Sequence, residues 1–218
     1  MREPGAVRPD AIIAMTTYLS RPRTYLSNAI HILINILQAK DASLLEHGKR
    51  TACYAMAMGN AIGISARDLL DLYYAALFHD IGQVMLPDDI LQKNGLLTHE
   101  EYAFVQCHPR DGAWLLQSIP CLRRSAILIA HHHEHWDGSG YPYGLRNTFI
   151  PLGSRILAIA DRFDALCTGR DGSHVDERVA INLIRILGGS QLDPMLVGVF
   201  VDQMQRGHSR SSFGGSRA

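Results

Sequence analysis

The sequence predicts an all-α domain. Three observations carry that expectation. Apolar residues recur at spacings of three and four along most of the chain, helix start signals precede those stretches and turn residues follow them, and almost no segment alternates as a half-buried strand would. Apolar residues make up 47% of the 218, so a chain of this length can bury a full core without disulfides or a structural metal.

The elements follow in order. Residues 24–39 place Leu26, Ile30, Leu33, Ile34 and Leu37 on one helical face; such a helix packs either on its own domain or on a copy of itself, giving a homodimer through residues 24–39. Over 43–62 the stripe is Leu44, His47, Thr51, Tyr54 and Met58, and Gly63 ends the helix. Ser65 caps the next, which runs through Leu69, Leu72, Tyr73 and Ala76 to His79. Thr98 with Glu101 three residues on is a capping box for a helix over 99–107. Pro109 starts a helix that ends near Ser118, Pro120 breaks it, and 121–133 resumes. Residues 137–153, DGSGYPYGLRNTFIPLG, have no periodicity and are dense in Gly and Pro. They form a loop, and its length favours a functional one. Helices are expected over 154–167, 175–187 and 194–204, with a GGSQLDP turn before the last. The small, polar run RGHSRSSFGGSRA reads as a disordered tail. The expected organisation is an N-terminal segment over 1–40, one domain over 41–205 and the tail over 206–218.

Lysines and arginines balance aspartates and glutamates at 21 each, so the basic excess of a nucleic-acid polymer binder is absent. A small anionic ligand needs only a local basic site. Cys53, Cys107, Cys121 and Cys167 form no CxxC pair and read as reduced core cysteines, which fits a cytoplasmic setting. MREPGAVRPD has no secretory apolar region. The apolar run 29–37 falls far short of the ~20 residues that cross a bilayer, so no membrane span is expected.

Eleven histidines include the cluster His131, His132, His133 and His135. His47 lies on the inward stripe of its helix, His79 and Asp80 end the next, His108 precedes Pro109, His132 and His133 precede the long loop, and Asp161 sits mid-helix among Ala158, Ala160 and Ala165. Each has a plainer reading alone: a core histidine for His47, a surface tract for HHHEH, a partner of Arg155 for Asp161. Together they have a common one. A buried carboxylate costs several kcal/mol unless paired or metal-bound, and imidazole with carboxylate suits first-row divalent metals.

The order His47, His79-Asp80, Asp161 resembles the HD superfamily of metal-dependent phosphohydrolases. HDIGQVMLPDDILQKNGLLTHEE, His108-Pro109, HHHEHWDGSGYPYGL and IPLGSRILAIADRFDAL resemble its HD-GYP subfamily, with Gly140-Tyr141-Pro142 as the GYP itself. The likeness runs from about Leu44 to about Met204. It implies an HD-domain helical bundle with a long GYP loop that hydrolyses cyclic di-GMP to pGpG, GMP or both. It implies two divalent metal ions, iron or manganese foremost, with nickel and zinc also suiting the donors. His47, His79, Asp80, His108, His132, His133 and Asp161 would hold them, with Asp80 between the two. Asp80 and Gln83 occupy catalytic positions; Tyr141, Arg170 and Gln83 would contact the dinucleotide, and the GYP loop offers a surface to a protein partner. Phosphodiester hydrolysis requires hydroxide at neutral pH placed in line with the leaving oxygen, and two metals ~3.5–4 Å apart provide both.

The chain departs from the family pattern at three places. Gln83 replaces a lysine that reaches the substrate phosphate; a charge-assisted contact is worth about 1.5–3 kcal/mol. Ser43 stands where members with a third metal carry glutamate, which favours a binuclear site. Ser173 replaces a basic residue, while Arg170 is retained. These losses support an alternative: a weak or inactive module that binds a cyclic dinucleotide or a protein partner. Among the neighbours, Asp164 reads as a partner behind the ligands or a surface acid. His131 and His135 flank the site, Glu134 orients a neighbouring histidine, and Trp136 either packs or offers a ligand platform.

Overall fold

The computed structural model describes residues 23–93, 95–170, 172 and 174–213, with side chains described between 26 and 206. The expectations for residues 1–22, for Ser173 and for the tail beyond 213 lie outside the described residues. Among the described residues the regular structure is helical: α1 (Arg23–Lys40), α2 (Ala42–Ala61), α3 (Ala66–Phe78), α4 (Asp88–Leu91), α5 (His99–Val105), α6 (His108–Gln117), α7 (Arg123–Ala130), α8 (Leu152–Thr168), α9 (Glu177–Leu187) and α10 (Pro194–Phe213). Three 3₁₀ turns interrupt them at Ile81–Met85, Pro120–Leu122 and Asn147–Phe149, and one isolated bridge joins Gly188 to Leu192. No helix among the described residues is long and apolar enough to cross a membrane.

The capping residues act as their chemistry requires. The Asp41 carboxylate accepts the Ser43 amide at the start of α2, and the Ser65 hydroxyl accepts the Asp68 amide at the start of α3. The Thr98–Glu101 capping box is complete at α5. Each satisfies amides that the first helical turn leaves without partners.

The central helix is α2, which packs against α1, α3, α8 and α10. Its stripe of Leu44, His47, Thr51 and Met58 is buried, with Tyr54 half-buried beside it. Phe78 of α3, Phe163 of α8 and Phe200 of α10 fill one continuous core with Leu37, Leu44, Leu45 and Met58. The closest approach is made at Gly48, where a Cβ would lie 2.3 Å from the Leu77 carbonyl oxygen. A residue with no side chain there lets α2 and α3 close together immediately beside His47.

Leu33 and Leu37 of α1 are buried within this core, so the apolar stripe of that helix is used inside the chain. The face left for a second copy carries Ile32 and Ile36, which are exposed.

Three local expectations are corrected. The helix expected over 121–133 is helical only from Pro120 and ends at Ala130, leaving His131–His133 in a turn. The physical reason is that the Ile129 carbonyl accepts the imidazole Nδ1–H of His132 at 2.7 Å and its backbone amide at 3.3 Å. The last helix runs to Phe213, into the stretch expected as a tail. The four cysteines are free as expected, yet Cys121 is exposed and the others are half-buried. They sit on the flanks of apolar stripes, not at their centres.

Replacing Gly48 with Ala is expected to force α2 and α3 apart. The cost should be about 1–3 kcal/mol, the usual range for overpacking, measured as a lower urea midpoint at unchanged denaturant slope.

Candidate metal centre

Five segments deliver the candidate ligands to one point. His47 projects from the buried stripe of α2. His79 and Asp80 follow the last residue of α3, His108 opens α6, His132 and His133 follow the end of α7, and Asp161 lies on α8. All seven residues expected from the sequence come together. Their donor atoms form three groups, each with its atoms within 4.8 Å of one another: His47/His79/Asp80, His79/His132/Asp161 and His108/His132/His133.

The hydrogen bonds behind these residues decide which ring nitrogen faces inward. His79 Nδ1 donates to the Ala76 carbonyl at 2.9 Å, His108 Nδ1 to Val105 at 2.7 Å, and His132 Nδ1 to Ile129 at 2.7 Å. These carbonyls belong to the last turns of α3, α5 and α7, and that of Ile129 accepts the His132 amide as well. A carbonyl can only accept, so each Nδ1 carries a proton and each Nε2 is the nitrogen left facing inward. His47 turns its Nε2 inward with a different partner: its Nδ1 donates to Asp164 Oδ2 at 2.7 Å. The inward nitrogens then lie close, with His47 Nε2 3.1 Å from His79 Nε2 and His108 Nε2 3.4 Å from His132 Nε2. His133 stacks its ring on Tyr141, centroids 4.8 Å apart and 24° from parallel.

Asp80 lies between the groups. Its Oδ2 is 3.4 Å from His79 Nε2 and its Oδ1 is 3.4 Å from His108 Nε2. Two further side chains grip it: Gln83 Nε2 donates to Oδ1 at 2.6 Å, and Arg170 Nη2 donates to Oδ2 at 2.6 Å. The sequence-expected positions Gln83 and Arg170 thus meet at this carboxylate, and Tyr141 stands over His133.

Charge and burial fit the donors to a metal. Burial alone would raise the Asp80 and Asp161 carboxyls. The histidines around Asp80, led by His79, together with Arg170, hold it ionised, and hydrogen bonds from His47 and His79 do the same for Asp161. Burial lowers His108, lowers His132 further with help from His133, and pushes His133 down to about 3 with help from His108. Those imidazoles are neutral at pH 7, the form that ligates metal. His47 is the exception. Burial pulls it down, but its hydrogen bonds to Asp161 and Asp164 outweigh that and raise it to about 9. Buried anions beside the neutral imidazoles of His108, His132 and His133 are a donor set that could hold a divalent metal.

Around this centre the structure reassigns several neighbours. Glu134 orients no histidine. Its buried carboxylate accepts the amides of Tyr143 at 2.8 Å and Leu145 at 2.9 Å, pinning the long loop. Arg155 pairs with Asp193, not Asp161, and lies over Trp136, which makes Trp136 a packing residue. His135 bonds Ser139 and His131 faces Tyr143, outside the donor groups. Ser43 is exposed and belongs to no donor group. One residue escaped the sequence reading: Arg50, which clamps Asp164. The available signal was spacing, since Arg50 follows His47 by three residues as Asp164 follows Asp161.

Comparison with known proteins gives the family of the chain. A family model described as HD domain matches residues 31–196. A protein named cyclic di-GMP phosphodiesterase from Thermotoga maritima is 33% identical over 180 residues, covering 81% of this chain and 49% of the relative. A 3'3'-cGAMP-specific phosphodiesterase from Vibrio cholerae is 36% identical over 139 residues, 64% of this chain and 32% of the relative. The chain therefore spans half or less of the length of these relatives. A solved HDG"Y"P protein from Bdellovibrio bacteriovorus shares the fold, with a TM-score of 0.62 at 22% identity over 74% of this chain and 52% of that one.

The raised pKa of His47 has a measurable consequence. With a value of about 9, its ring is protonated at pH 7 in protein stripped of metal, and a metal must displace that proton. Calorimetric titration with manganese(II) at pH 7 is expected to release about one proton. The observed heat should vary with the buffer's ionisation enthalpy, and apparent affinity should rise as pH approaches 9. Heats identical in phosphate and Tris would contradict the assignment.

Proposed function

Because the chain belongs to the HD domain family, we propose that it is a metal-dependent phosphodiesterase that hydrolyses cyclic di-GMP to pGpG, GMP or both. The observation that carries the reading is the convergence of His47, His79, Asp80, His108, His132, His133 and Asp161 with their inward nitrogens unprotonated or exchangeable. In this reading those seven residues hold two divalent ions, iron or manganese foremost, with Asp80 between them. Bound there, the ions would supply the acidity that ionises water at neutral pH and positive charge opposite the phosphate.

The chain's own residues do the rest. Asp80 neutralises like charges held close together. Arg170, with a side chain 27% exposed, sets a guanidinium at the rim of the centre, and arginine is suited to a phosphate by its planar fork. Gln83 sits between Asp80 and Arg170, accepting from Arg170 Nη2 at 3.4 Å; it offers a phosphate a neutral amide where a lysine would offer a charge. Tyr141, stacked on His133, offers an aromatic ring to a nucleobase or sugar. The relatives named for cyclic di-GMP and for 3'3'-cGAMP support a cyclic dinucleotide.

The neutral Gln83 favours a second reading, a weak or inactive module that binds the dinucleotide for signalling. Exposed Tyr143 and Phe149 on the loop suit a protein partner in either case.

Two substitutions test these readings. Asp80→Ala is expected to abolish turnover of cyclic di-GMP and tight binding of both ions together, since no carboxylate then separates them. Elemental analysis showing two ions with near-normal turnover would sink the assignment. Gln83→Lys is expected to raise kcat/KM for cyclic di-GMP by about ten-fold at matched metal content, the lower end for a charge-assisted contact. No gain, beside tight binding without turnover in the parent chain, would select the binding module.

A further inference from the structure

The two sides of the centre are supported by different kinds of group. On the side of His108 and His132 the supports are neutral carbonyls, those of Val105 and Ile129. On the side of His47 the support is an ion. Asp164 Oδ2 accepts from His47 Nδ1 at 2.7 Å, while Arg50 clamps the same carboxylate, Nε on Oδ1 at 2.7 Å and Nη2 on Oδ2 at 2.9 Å. Asp164 is fully buried, and Arg50 reaches it from a half-exposed position. Hydrogen bonds from His47 and Arg50 keep the carboxyl ionised against its burial.

The arrangement follows from one spacing used twice. His47 and Arg50 are three residues apart on α2, Asp161 and Asp164 three apart on α8. Residues three apart share a helix face, and α2 packs against α8. The two pairs therefore meet as an interlocked set, His47 against both aspartates and Arg50 against the outer one.

We propose that Asp164, clamped by Arg50, is the positioning residue of the His47 side of the centre, and that the two sides consequently bind their ions with unequal strength. The proposal rests on the metal-binding reading above. A carboxylate behind an imidazole fixes the ring and raises the basicity of its far nitrogen, whereas a carbonyl mainly fixes the ring. The bidentate arginine holds the carboxylate in one orientation. The ligand sets reinforce the difference. The His47 side also holds Asp161, whereas the group His108, His132 and His133 is made of imidazoles with Asp80 as the nearest carboxylate. The His47 side should take the first ion and the His108 side the second.

The test is a manganese(II) titration of the metal-free chain, followed by calorimetry and elemental analysis, with no substrate present. Wild type is expected to bind two ions in two resolved steps. Asp164→Ala should weaken the tighter step ten- to a hundred-fold, the range for a support behind a ligand, and leave the weaker step in place. Asp164→Asn keeps the acceptor without the charge and should fall between. His108→Ala should do the reverse, removing the weaker step. If Asp164→Ala does not fold, Asp164→Asn and Arg50→Gln carry the same comparison. Two equal steps in wild type, wild-type steps in Asp164→Asn and Arg50→Gln, or equal weakening of both steps would overturn the proposal. A wild type that binds no manganese(II) would overturn the metal reading itself, and this is read before any variant is made.

Discussion

A buried imidazole has two nitrogens to satisfy, and the proton on one decides what the other can do. At this centre the Nδ1 proton of three histidines goes to a carbonyl at the end of a helix, from Ala76, Val105 and Ile129. That of His47 goes to Asp164. Helix ends have carbonyls without partners, and a histidine three residues on is placed to use them. Each bond satisfies the backbone and at the same time turns Nε2 inward. The same bonds stand where helices stop: α3 ends before His79 and α7 before His131, and at both ends an imidazole meets a last-turn carbonyl.

Charge is the second requirement. Three carboxylates, Asp80, Asp161 and Asp164, lie in an apolar bundle where unpaired ions would destabilise the fold by several kcal/mol each. They are tolerated because each faces an imidazole or a guanidinium: Asp80 between His79, His108 and Arg170, Asp161 on His47, Asp164 on His47 and Arg50. Removing any one cation partner leaves a buried anion exposed to the low-dielectric interior. Site and core are for this reason a single structure, with the donors standing among the packing residues of α2, α3 and α8.

The long loop is ordered by the same economy of polar groups. Glu134 takes two loop amides, and the amides of Trp136 and Asp137 donate to the Gln191 and Ser190 carbonyls. Gly140 passes so close to the chain at 133–135 that a Cβ would lie 2.2 Å from the His135 nitrogen. A loop tied at both ends and pressed at its middle can place Tyr141 against His133. A freely moving segment of the same composition could not.

Much of this was legible without coordinates. Periodicity and caps located the helices because burial of an apolar face and satisfaction of first-turn amides are local demands, written within a few residues of one another. Asp41, Ser65 and the Thr98–Glu101 pair are read in this way. The seven ligand-type residues were legible because His and Asp are conspicuous in apolar stretches. Their partners were not. Glu134 stands next to two histidines in the chain, yet its carboxylate meets amides nine and eleven residues further on. Arg50 and Asp164 are separated by 114 residues. Arg155 meets Asp193 where Asp161 was the nearer candidate in sequence. Polar side chains reach several ångströms in many directions, and which partner they find depends on how helices cross. That crossing is set by close approaches such as Gly48 on Leu77, a contact between residues with no local signature. The chemistry of the ligands therefore resides in the residue types and their order, while the supports that orient and charge them exist only once α2 is packed against α8.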